Sequence, residues 1–161
     1  MFLILAFALL LRLIYSFIVI TLNPEGILMH DSIDYIQLGN NLYSNFVFSR
    51  ETAAPFYPEH IRVPFYPMLT GVFGANYFSI IFFQIGLSTL NIYILYLLVR
   101  LFVSNDKLIM FGLLLMCLSI NSIALCNVVL TETLSETLLL GSLYFLIKAF
   151  NEIKNKKIKL H

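Results

Sequence analysis

Charge is what this sequence has least of. Only 12% of its 161 residues are Asp, Glu, Lys or Arg, and the formal net charge is +1. So thin and balanced a set leaves no basic footprint for a phosphate backbone, which argues against nucleic acid as a partner. Cysteine is equally sparse. Cys117 and Cys126 fall in one apolar stretch, where small buried hydrophobes are a plainer reading than a disulfide or a metal site. His30, His60 and His161 show no metal-ligand spacing. No Gly-rich phosphate loop, G-x-S-x-G elbow or H-E-x-x-H helix occurs, so the soluble-enzyme chemistries built on those motifs have no foothold. There is no internal repeat, and the sole biased tract is the Lys-rich tail.

What replaces charge is apolar length. Hydrophobic residues make up 60% of the chain and the mean hydropathy is +0.88, well outside the range of soluble domains. The expected fold is all-α: a single polytopic membrane domain over 1–161, a helix bundle of about four spans. Residues 1–22 can cross a hydrocarbon core and lack the basic leader and small-residue cleavage site of a signal peptide, so they read as an anchor. Asn23, Pro24 and Gly26 end it. No charge separates Arg62 from Arg100, and 77–103 supplies span two. A helix continuous from Leu108 to Phe150 would be roughly 65 Å long, about twice the core thickness, so it folds back. Spans three and four are expected at 108–126 and 131–150, with the reversal between Asn121 and Thr131.

The loop at 23–76 carries two kinds of segment. In 29–43 the apolar Met29, Ile33, Ile36 and Tyr43 recur at helical spacing among polar residues, the pattern of an amphipathic helix on a membrane surface. Residues 46–67 hold Pro55, Pro58, Pro64 and Pro67 among aromatics, which predicts an ordered but irregular loop. Arg100, Lys107, Lys148 and the tail lysines flank one set of span ends, against Arg50 and Arg62 on the other. By the positive-inside rule both termini are cytoplasmic, and the loop with its acids lies outside together with Glu132.

Several polar residues stand out against this background. Asp31, with Tyr35 one turn on, could serve as a general base near the headgroups; a helix cap or a solvated face is the plainer reading of it, and of Asp34. Arg62, set before Pro64 and Pro67, suits a phosphate at the interface, or it snorkels. Glu132 and Glu136 open span four, where the helix dipole favours acids whether or not they act; Glu136 lies deeper. Arg12, inside span one, either pairs across the bundle or snorkels to a face.

Three stretches together resemble the amino-terminal part of the GT-C glycosyltransferases, in particular the protein O-mannosyltransferases and lipid A aminoarabinose transferases. They are DSIDYIQLGNNL at 31–42, RVPFYPMLTGVFG at 62–74 and LTETL at 130–134. The resemblance spans nearly the whole chain. It implies sugar transfer from a polyprenyl-phosphate carrier to an acceptor on the outer or lumenal face. It also implies Asp31 as catalytic carboxylate, Arg62 as carrier-phosphate contact, and Tyr35, Tyr66 and Pro67 shaping the substrate site. Glu132 would be a second acid near a divalent cation. Ser32 stands where a second acid follows directly in the mannosyltransferases, which favours the aminoarabinose-type arrangement. Family members run several hundred residues further, so the site implied here is a fragment, half of a split enzyme completed by a partner chain, or an inactive remnant. A bacterial or archaeal plasma membrane is the expected location, rather than the endoplasmic reticulum. The rival class is a non-catalytic scaffold or lipid-binding membrane subunit. A small transporter is disfavoured because no span carries a central Gly/Pro interruption.

Overall fold

The computed structural model describes residues 1–74 and 76–158, with side chains through residue 153. All regular structure among these residues is helical: α1 (Phe2–Leu22), a 3-10 turn (Pro24–Ile27), α2 (His30–Ser44), α3 (Phe65–Val72), α4 (Tyr77–Arg100), α5 (Asp106–Cys117), α6 (Ile120–Leu125) and α7 (Glu132–Ile158). Three of these helices, α1, α4 and α7, are long and apolar enough to cross a membrane. The lysines of the tail bear on the orientation argument; Lys159 lies outside the described residues, as does His161.

Local sequence explains where the helices begin and end. Asn76 caps α4 by accepting the Ser79 amide at 3.1 Å, and Asn105 caps α5 by accepting the amides of Lys107 and Leu108. Arg100 in the last turn of α4 pairs with Asp106 in the first turn of α5 at 2.6 Å, closing the tight turn between them. The expected irregular loop ends earlier than its prolines suggested. Pro64 and Pro67 fall in the cap and first turn of α3, where a helix uses no amide donor, so they start the helix rather than prevent it.

Span three differs from the expectation of a single crossing at 108–126. The chain breaks at Leu118–Ser119, where Ser119 is extended (ψ 109°) and caps α6. Neither α5, with 12 residues, nor α6, with 6, reaches the length of a span alone. The pair still carries the chain from the Arg100 end of the bundle to the other end, where the Val129 amide donates to the Ile27 carbonyl at 3.0 Å. The reversal occupies the non-helical residues before Glu132, inside the expected window.

α4 is the central post, packed on α1, α5 and α7. Two apolar clusters fill the bundle. One gathers Ala8, Ile92, Ile109, Leu113 and Cys117 toward the Arg100 end; the other gathers Ile27, Ile36, Ile80, Ile85 and Val129 toward the loop. Both cysteines are free and buried, as small hydrophobes.

α2 covers 29–43 almost as expected. Of the apolar stripe read there, Met29, Ile33 and Tyr43 stay more than half exposed, whereas Ile36 turns inward with Ser32, Tyr35, Leu38 and Gly39. Small residues decide this. Gly39 and Gly71 let α2 and α3 cross at backbone contact, so close that a Cβ on Gly39 would lie 2.5 Å from the Pro67 carbonyl.

Candidate active site at the loop end of the bundle

Asp31 lies in the first turn of α2, where a carboxylate is favoured by the free amides, and Asp34 and Tyr35 follow one turn later. Tyr35 is fixed from below: Thr70 Oγ1 donates to its carbonyl at 2.9 Å across the glycine crossing. Arg62 arrives from the loop and closes on the acids. Its Nη2 lies 2.5 Å from Asp31 Oδ1 and 3.3 Å from Asp34 Oδ2, while Nη1 lies 3.3 Å from Asp31 Oδ2. The guanidinium also sits over the Tyr35 ring, 5.2 Å from its centroid. Hydrogen bonding to Asp31 foremost holds it firmly protonated, above its usual range.

Tyr66 stands edge-on to Tyr35, ring centroids 5.0 Å apart. It is 3% exposed, and its hydroxyl donates to Gln84 Oε1 at 2.5 Å. Gln84 in turn donates to the Val128 carbonyl at 2.7 Å, tying α3 and α4 to the reversal before α7. Burial, and next the charge of Glu132, pushes the Tyr66 phenol well up, so it is a neutral donor at physiological pH.

Arg62, Tyr35 and Tyr66 border a cleft of about 360 Å³, which Asp31 adjoins through Arg62 without lining it. Arg62, Tyr35 and Tyr66 make one wall with Phe65; Thr131, Ser135, Leu134 and Leu138 of the α7 side make the other. The cleft therefore has a charged mouth and an apolar flank, in the size range of small-molecule sites. Arg62 Nε is buried without a hydrogen-bond partner.

The charges continue outward as an alternating chain. Arg50 bridges Asp34 and Glu59, so Asp31, Arg62, Asp34, Arg50 and Glu59 follow one another. The Glu59 side chain is 2% exposed and accepts the amides of Ile61, at 2.6 Å, and Arg62, at 3.3 Å, which places the Arg62 backbone. Those bonds, that from Ile61 first, hold its carboxyl below the ordinary 4.5. Its contribution to loop stability is thus complete above that value and lost as the pH falls through the lower native one. We expect pepsin cleavage of 46–62 to accelerate below about pH 4.5. Glu59→Gln should flatten that dependence; an identical pH profile in the variant would remove Glu59 as its cause.

Of the residues singled out from sequence, Asp31, Arg62, Tyr35 and Tyr66 come together. Pro67 does not reach the cleft: it is buried at the α2–α3 crossing, where its carbonyl accepts Thr70. Glu132 is at the same end of the bundle, exposed on the first residue of α7 while its neighbours Thr131 and Ser135 line the cleft. The residues present do not assemble a preformed cation site. Asp31 and Asp34 share Arg62, and among the described residues no three His, Cys, Asp or Glu side chains group around one point. Sequence reading took Asp34 for a helix cap or solvated face and did not single out Gln84. Gln84 had a signal, an amide inside an apolar span, where an unpaired polar group is costly. Comparison with family models, curated proteins and solved structures finds no match to this chain.

Proposed function

We propose that this chain is a membrane glycosyltransferase of the GT-C kind, moving a sugar from a polyprenyl-phosphate carrier to an acceptor on the outer or lumenal face. One observation carries the reading. A carboxylate and an arginine 31 positions apart in sequence meet, and that arginine lines a mostly apolar cleft. A carrier lipid needs both halves: a cation for its phosphate and an apolar surface for its chain.

In this mechanism the carrier phosphate engages Arg62, first through the unpartnered Nε, and competes with Asp31 for the guanidinium. Asp31, released, takes the proton of the acceptor hydroxyl as that oxygen attacks the anomeric carbon. The bond from that carbon to the phosphate oxygen breaks, and the electron pair leaves with the lipid phosphate, whose charge Arg62 balances. Tyr66 holds the Tyr35 ring that supports Arg62 from beneath. No step is routed through a cation; the family's metal chemistry would require further ligands to join Glu132, from the substrate or a partner chain.

Orientation follows the same reading. Arg100 and Lys107 mark the cytoplasmic end with both termini, and Asp31 and Glu132 face outward in a bacterial or archaeal plasma membrane. The exposed Met29, Ile33, Phe65 and Met68 near the cleft suit a headgroup interface.

The test is transfer of radiolabelled sugar from a panel of polyprenyl-phosphate sugars by membranes holding the chain. A second reading, a carrier-binding subunit without turnover, is favoured by the engagement of both aspartates with Arg62. Saturable carrier binding with no transfer across the panel, with or without added membrane partners, would select it.

A further inference from the structure

Arg12 sits midway along α1 with 0% exposure, and the transfer reading gives it no task. Its Nε donates to Ser88 Oγ at 2.8 Å, Nη1 to the Ala8 carbonyl at 3.1 Å, and Nη2 to Ser122 Oγ at 3.0 Å. All three acceptors are neutral. A guanidinium at this depth needs a counter-charge, because lost hydration is not repaid by dipoles of two hydroxyls and one carbonyl alone.

The same two hydroxyls line a cavity of about 60 Å³ at the α4–α6–α7 junction, whose wall also includes Asn91 and Glu136. Asn91 is 4% exposed, and both its amide nitrogen and its amide oxygen are buried without a partner. Glu136 joins none of the direct ion pairs among the described residues. The cavity thus brings together an orphaned donor, an orphaned acceptor, two hydroxyls and a carboxylate, next to a cation that lacks an acid. The break at Leu118–Ser119 lies just before it, and Ser122 reaches Arg12 from the short helix that follows.

We propose that this cavity is a hydration site in the middle of the bundle, through which Arg12, by way of Ser88 and Ser122, is coupled to Glu136 by a hydroxyl-and-water bridge linking α1 to α7. One water needs about 10–15 Å³ of such space, so the cavity has room for at least two. Two waters meet the requirement of two to four polar partners each from the groups present. They satisfy both ends of the Asn91 amide and carry the serine-held guanidinium field to the carboxylate. An apolar occupant would leave Asn91 unsatisfied, and a small anion would meet the Glu136 charge. The pair fixes the depth of α7, whose Thr131, Leu134, Ser135 and Leu138 wall the outer cleft. It stands independently of the transfer reading.

The experiment uses the full chain in detergent micelles. Arg12→Met and Glu136→Met should each lower the thermal midpoint by roughly 5–10 °C, as expected for a buried charge left alone. The double variant should recover most of that loss, and recovery of a folded double where a single is not recovered counts equally as coupling. Additive losses, or a Glu136→Met variant as stable as the natural chain, overturn the pair. Hydration is read separately by radiolytic oxidation of Met116, which lines the cavity and is also 38% exposed. Asn91→Leu, which fills the cavity, should lower Met116 oxidation while leaving that of Met110 unchanged. Met116 oxidation identical in Asn91→Leu and the natural chain overturns the water site and decides the question where no charge variant folds.

Discussion

Asp31→Asn is expected to reduce sugar transfer by at least about 100-fold, the usual scale for losing a positioned general base. The substitution keeps size and one acceptor oxygen for Arg62, and Arg62 retains Asp34 at 3.3 Å, so the loop stays docked. What disappears is the group that takes the acceptor proton. The loss should fall on kcat, with carrier affinity unchanged or improved, because the phosphate no longer competes with a charged rival for the guanidinium. Asp34→Asn is the matched control. It neutralises the other carboxylate on the same arginine without touching the proposed base, so its effect should be smaller and appear in KM. Membranes matched for protein content, assayed with a saturating lipid-linked sugar, separate the two. Unchanged transfer by Asp31→Asn would remove this residue from the chemistry and leave the carrier-binding reading.

Gly39→Ala is expected to be the most damaging single methyl group in the chain. Its Cβ would stand 2.3 Å from Thr70 Oγ1, 2.5 Å from the Pro67 carbonyl oxygen and 2.8 Å from the Gly71 amide nitrogen. Two of those three atoms are backbone, so no rotamer change relieves the contact and α2 must lift off α3. Overpacking of this kind costs about 3 kcal/mol or more, which for a chain of this size lowers the thermal midpoint by roughly 5–10 °C. The Thr70 bond to the Tyr35 carbonyl is lost with it, so the cleft should loosen before the bundle unfolds. Gly86→Ala, Gly112→Ala and Gly141→Ala supply the contrast. All three glycines are helical with nothing within 4 Å of the added methyl, so these changes should be neutral or stabilise by up to about 1 kcal/mol. A Gly39→Ala midpoint equal to theirs would mean that the two helices do not cross at backbone contact.

The helix α2 shows where legibility from sequence stops. Its extent could be read because apolar residues recur every third or fourth position, but periodicity counts hydrophobicity and overlooks size. Gly39 is small enough to admit a neighbouring backbone, so it went inside while Ile33 and Tyr43 stayed out. Arg62 could be picked out because a guanidinium among prolines at an interface is unusual. That it would bind Asp31 and Asp34 together could not, since the partners are 31 and 28 positions away. The break at Ser119 left no mark either, having neither Gly nor Pro.

By itself the sequence determined the three long helices, the position of the loop and the unequal distribution of charge, because apolar run length and charge sign are local properties that solvent and lipid read directly. Tertiary structure alone decided which face of α2 is buried, that the chain breaks between α5 and α6, and that Arg12 meets Ser88 and Ser122. Those outcomes depend on how closely two backbones approach and on which polar group finds a distant partner, and neither is encoded in the spacing of residues along one segment.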